Sequence, residues 1–128
     1  MTELRQDAET VPACILVVED EPLVRFPIAE ALRDLGVRVI EAATADEAWE
    51  YLQAGVPIDL VFTDHNLPGS MTGEQLSGRI ARERPGIVTL ITSGRNSGGG
   101  ISQPILEKPY DLLKTAAALA QVASKNTR

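Results

Sequence analysis

Four apolar runs in this chain stop abruptly at a group that could do chemistry. CILVV (14–18) is followed by Glu19-Asp20-Glu21, and IDLVFT (58–63) by Asp64, within FTDHNLPG. GIVTLITS (86–93) closes on Ser93, and PILE (104–107) is followed by Lys108. Carboxylates brought together repel one another, and a hard divalent cation relieves that repulsion. Mg²⁺ is the expected ion, because it takes one or two carboxylates together with waters and phosphate oxygens. The candidate ligands are Glu19, Asp20 and Asp64, with the backbone carbonyl of Asn66 as a further donor. Asp64 also has a plainer reading, since Asp beside Pro68-Gly69 is an ordinary turn residue. The choice depends on whether the fold brings the four run ends together.

The elements around them alternate. CILVV is short, continuous and rich in β-branched residues, as expected of a strand buried on both faces. EPLVRFPIAEALRDLG predicts a helix with Leu23, Phe26, Ile28, Ala31, Leu32 and Leu35 as its apolar stripe, a kinked start at Pro27 and a stop at Gly36. VRVIEA (37–42) reads as a strand. TADEAWEYLQAG (44–55) reads as a helix, with Thr44 as N-cap and Glu47 completing a capping box. The strand over 58–63 leads to a helix over 72–86, closed by Pro85-Gly86, and then to the strand over 86–93. GRNSGGGISQ carries no helical pattern. PILE is a short strand, and residues 109–125 form the last helix. Strands alternating with helices imply βαβ units and a parallel sheet. Five strands fit a flavodoxin-like (βα)5 doubly wound sheet of order 2-1-3-4-5, with its site at the carboxyl ends of strands 1 and 3.

Composition narrows the function classes. The 128 residues suit one domain, expected over 13–124, with tails at 1–12 and 125–128. A formal charge of −6 and the lack of a basic stripe argue against nucleic-acid binding. The single cysteine, Cys14, reads as a buried small hydrophobe and points to a reducing, cytoplasmic setting. No apolar run reaches the length of a membrane span, and the polar first residues do not read as a signal peptide.

The set VVEDE, FTDHNLPG, TSG and EKPY resembles the response-regulator receiver domain of two-component signalling, over roughly residues 13–124. The resemblance implies that Asp64 is the phosphoacceptor, that Glu19 and Asp20 are the acid pair for Mg²⁺, and that the Asn66 carbonyl completes the ligation. It makes Ser93 the switch hydroxyl, with Thr92 as competitor, and gives Lys108 a bond to the phosphoryl group. Pro109 implies the cis peptide usual in the family. The implied partners are a sensor histidine kinase and a downstream protein target or phosphotransfer protein. PGSMTG and TSGR are similar to single-domain receivers paired with HWE-type histidine kinases. No output domain is read in the sequence, so a stand-alone receiver is expected.

Three departures from the family pattern stand out. PGSMTG is one residue longer than the common form, which should enlarge the loop beside Asp64. The segment between Ser93 and Lys108 is short and glycine-rich, which predicts that the helix between strands 4 and 5 is short or absent. The usual aromatic switch position is Ile105, leaving Tyr110 as a substitute. Two rival functions compete. An aspartate-nucleophile phosphatase of the haloacid-dehalogenase type would need an acid two residues after Asp64, where Asn66 stands. A phosphorylation-independent binding module would not need the intact acid set. His65, the only histidine, is read as rimming the site, and Trp49 as packing in the core or against a partner.

Overall fold

The computed structural model describes residues 12–93, 105–107 and 111–127, with Ser93 and 105–107 described by their backbone alone. The elements are β1 (Cys14–Val18), α1 (Pro22–Asp34), β2 (Arg38–Ala42), α2 (Ala45–Gln53), β3 (Leu60–Asp64), α3 (Gly73–Glu83), β4 (Val88–Ser93), β5 (Ile105–Glu107) and α4 (Leu112–Asn126). The strands form one parallel sheet of order β2-β1-β3-β4-β5. The expectation of a short or absent helix between strands 4 and 5 falls on 94–104, outside the described residues.

Strand β1 is apolar throughout because helices cover both faces of the sheet. Successive side chains point to opposite faces. Cys14, Leu16 and Val18 therefore join a core with Ala48, Trp49 and Leu52 of α2 and Leu76 and Ile80 of α3. Ile15 and Val17 join a second core with Ile28 and Leu32 of α1 and Ala116, Leu119 and Ala123 of α4. The guanidinium of Arg79 lies 4.1 Å from the Trp49 ring centroid, so the Trp49 reading as core packing holds, with a cation seated on one face.

The apolar stripe expected of α1 needs correction. Ile28, Ala29 and Leu32 are buried, whereas Leu23 is 84% exposed, Phe26 51% and Leu35 53%. At 3.6 residues per turn, positions 25, 28, 29 and 32 share one side, and 23 and 26 fall on the other. The helix runs continuously through Pro27, with Pro22 at its start, where a missing N–H costs little.

Helix starts are set by short-range hydrogen bonds. Thr44 Oγ1 accepts from the Glu47 N–H at 3.0 Å, but the Glu47 carboxylate accepts from Ala43 N–H, one residue before the expected partner. Thr72 and Gln75 form a complete reciprocal box at the start of α3. At the other end of the chain, α4 continues to Asn126. The Asn126 side-chain amide donates to the carbonyls of Asp59 and Gly86, both at 2.8 Å. Part of the expected C-terminal tail is thus attached to the starts of β3 and β4.

Candidate functional site

Parallel register gathers the acids. Val18 pairs with Ala42 on one side and Thr63 on the other, so Glu19 and Asp64 are the next residues along adjacent strands. One carboxylate oxygen each from Glu19, Asp20 and Asp64 lies within 4.8 Å of the others. Glu19 is buried, Asp64 half-buried and Asp20 exposed, so the trio runs from the sheet edge out to solvent. Ligands on opposite sides of an octahedral Mg²⁺ sit about 4 Å apart, given metal–oxygen distances near 2.1 Å. Three oxygens at this spacing fit such an ion with minor side-chain rotation. Asn66 follows two residues after Asp64 in the loop, and its side chain is exposed.

The main chain at each acid is fixed from neighbouring elements. Glu19 N–H donates to Ala42 C=O at 3.0 Å, and Glu19 C=O accepts from Arg25 Nη1 at 2.7 Å. The Glu19 carboxylate accepts from Glu21 N–H at 3.1 Å, where the chain turns into α1. On the other strand, Thr63 Oγ1 donates to Asp64 C=O, and His65 N–H donates to Thr92 C=O at 2.7 Å. His65 C=O accepts from Gly73 N–H at 3.0 Å, which brings the start of α3 against the end of β3. A Cβ at Gly73 would overlap the Asp64 carbonyl oxygen, so only glycine fits there.

The loop over 65–72 is anchored at several points. Leu67 is buried and Met71 packs on the same core. The N–H and Oγ of Ser70 both donate to the Asp46 carboxylate on α2, at 3.3 and 2.9 Å. His65 Nε2 lies 3.4 Å from Glu74 Oε1, and its Nδ1 is buried with no hydrogen-bond partner among the described residues. Thr92 is buried opposite Asp64 and lines a small cleft with Glu19 and Asp64. Ser93 pairs with Glu107 through the last register position of β4 and β5; its side chain, Lys108, Pro109 and Tyr110 lie outside the described residues.

Sequence reasoning missed Arg25, Glu41, Asp46 and Ser70. The first two carried a weak signal: a charged residue on the inward side of α1 and another within a strand. The second two meet only through the tertiary fold.

A doubly wound parallel α/β domain whose first and third strands end on three clustered carboxylates has its candidate site at that sheet edge. The family model for the response regulator receiver domain matches residues 15–112, and the chain belongs to that family. It is 35% identical to the transcriptional regulatory protein PdtaR of Mycobacterium tuberculosis, an alignment covering 98% of this chain and 64% of that protein. It is 31% identical to the sensor kinase CckA of Brucella abortus, covering 88% of this chain and 13% of that protein. The chain thus spans less than two thirds of the length of either. Among solved structures, the receiver domain of NtrX from Brucella abortus superposes with a TM-score of 0.74 at 29% identity, over 87% of this chain and 98% of that one. Receiver domains are the phosphoacceptor modules of two-component signalling, work with sensor histidine kinases, and generally bind Mg²⁺ at an acidic pocket. No helix among the described residues is long and apolar enough to cross a membrane.

Proposed function

We propose that this chain accepts a phosphoryl group on Asp64 from a sensor histidine kinase, with Mg²⁺ held by Glu19, Asp20, Asp64 and the Asn66 carbonyl. The observation that carries this reading is the convergence of the three carboxylates, with Asp64 at the end of the central strand β3. A carboxylate oxygen of Asp64 attacks phosphorus, a P–O bond forms, and the P–N bond to the kinase histidine breaks. The released imidazole keeps the bonding pair and takes a proton from solvent. Mg²⁺ supplies positive charge for the transferring oxygens. Asp64 is held for this attack by the strand on one side and by the Gly73 contact on the other. Lys108 is assigned to the phosphoryl oxygens and Ser93 to the switch hydroxyl, by the family resemblance. Catalysis is confined to the domain's own phosphotransfer and dephosphorylation. The phosphorylated form signals by a conformational switch or by passing the group on, and an HWE-type kinase is the proposed donor.

Acetyl phosphate with Mg²⁺ should add one phosphoryl group, detected by intact-protein mass spectrometry. Asp64→Asn should abolish it, and labelling that survives the substitution would sink the assignment. Sustained turnover of a phosphomonoester would instead favour the phosphatase, which the amide of Asn66 argues against.

A further inference from the structure

Arg25 stands on the inward side of α1, its side chain only 14% exposed, and it bonds two groups at once. Its Nε donates to Glu41 Oε1 at 3.0 Å, and its Nη1 donates to the Glu19 carbonyl at 2.7 Å. The other Glu41 oxygen is taken by Arg33 at 3.1 Å, so Glu41 is itself held. The Glu41 backbone belongs to β2, where it pairs with Val17. Glu19 N–H bonds Ala42 on that same strand. Both polar groups of the Glu19 backbone are therefore fixed relative to the end of β2, one directly and one through Arg25.

This bears on Asp20 through covalent geometry. The Glu19 carbonyl lies in the planar peptide unit that also contains Asp20 N and Cα. Fixing that oxygen fixes the plane, and with it the base from which the Asp20 side chain departs.

We propose that Arg25 is a positioning residue for cation binding: it orients the Glu19–Asp20 peptide so that both carboxylates face the ion together. The inference rests on the reading of Glu19 and Asp20 as Mg²⁺ ligands. A fork-shaped guanidinium is required, because a lysine ammonium cannot span the two acceptors in fixed geometry.

The sign of the effect separates positioning from charge. A guanidinium near a cation site repels the cation, so by Coulomb's law alone its removal would tighten Mg²⁺ binding. Positioning demands the opposite. A role in folding alone would lower stability and leave the affinity unchanged.

The test is Mg²⁺ titration of the full chain, followed by amide NMR shifts, for wild type, Asp20→Asn, Arg25→Met and Arg25→Lys, with thermal midpoints in EDTA alongside. Wild type should bind saturably and Asp20→Asn should not. Arg25→Met should bind about tenfold more weakly, the lower end for loss of a group that orients metal ligands. Arg25→Lys should fall between them, and excess Mg²⁺ should restore the labelling rate of either variant with acetyl phosphate. Unchanged or tighter binding by Arg25→Met overturns the inference while leaving the metal site intact. Should Arg25→Met not fold, unchanged affinity in Arg25→Lys has the same force. A wild type without Asp20-dependent binding overturns the metal reading and the inference together.

Discussion

The backbone carbonyl of Asp64 occupies the space into which any side chain at Gly73 would project. The contact joins the last residue of β3 to the first residue of α3. Backbone lies on both sides, so neither can yield cheaply. Gly73→Ala should cost about 1–3 kcal/mol, the usual range for overpacking, or somewhat more. It should also slow acetyl phosphate labelling more than it lowers stability, because the displaced atom belongs to the proposed acceptor. Urea unfolding and labelling rates on one preparation check both.

The two sides of α1 should respond differently. Leu23 is almost fully exposed and Leu32 fully buried. Leu23→Asp should leave the unfolding midpoint nearly unchanged, within about 0.5 kcal/mol as for ordinary surface changes. Leu32→Ala should cost roughly 2–5 kcal/mol, the range for emptied leucine sites. Equal losses would restore the stripe expected from the sequence.

Cys14 should be inert in the native protein. Its thiol is buried in the core beneath α2 and α3, and burial raises its pKa; Arg38 opposes the rise and the Asp59 carboxylate adds to it. The reactive form is the thiolate, so burial and the raised pKa together should make the native thiol label far more slowly than a free cysteine at the same neutral pH. Labelling by a thiol reagent should instead follow global unfolding, and should become fast in denaturing urea.

Asn126 should act as a structural anchor. Its amide makes two hydrogen bonds to carbonyls that precede β3 and β4. Asn126→Ala should cost about 1–3 kcal/mol, from net values near 1 kcal/mol per bond. Chemical denaturation measures it, and a neutral result would return residues 125–128 to the status of a tail.

The sheet and the acids were readable from the sequence for one physical reason. A strand buried on both faces must be apolar at every position, so CILVV and LVF declare themselves, and the first acid after each marks the sheet edge. The side of α1 was harder to read. Leu23 and Phe26 are apolar and at helical spacing, yet composition does not record which side meets the sheet. Only Arg25 betrays it, and an inward arginine is informative once its partner Glu41 is seen. The Asp46–Ser70 and Asn126 contacts join residues 24 to 67 positions apart and leave no local pattern. The loop that contains PGSMTG is drawn onto α2 by Asp46.

The interior position of β1 has a consequence for how the domain opens. Its two neighbours occupy both edges, and its side chains are divided between the two cores. Neither layer of helices can detach without uncovering one face of the same strand. The amides of residues 15–18 should therefore exchange with deuterium only when the whole domain unfolds, at the slowest rate in the molecule. A chain cut between β2 and β3 would leave β1 with β2 but without β3 in one fragment and β3 without β1 in the other, so the fragments should regain structure only when mixed.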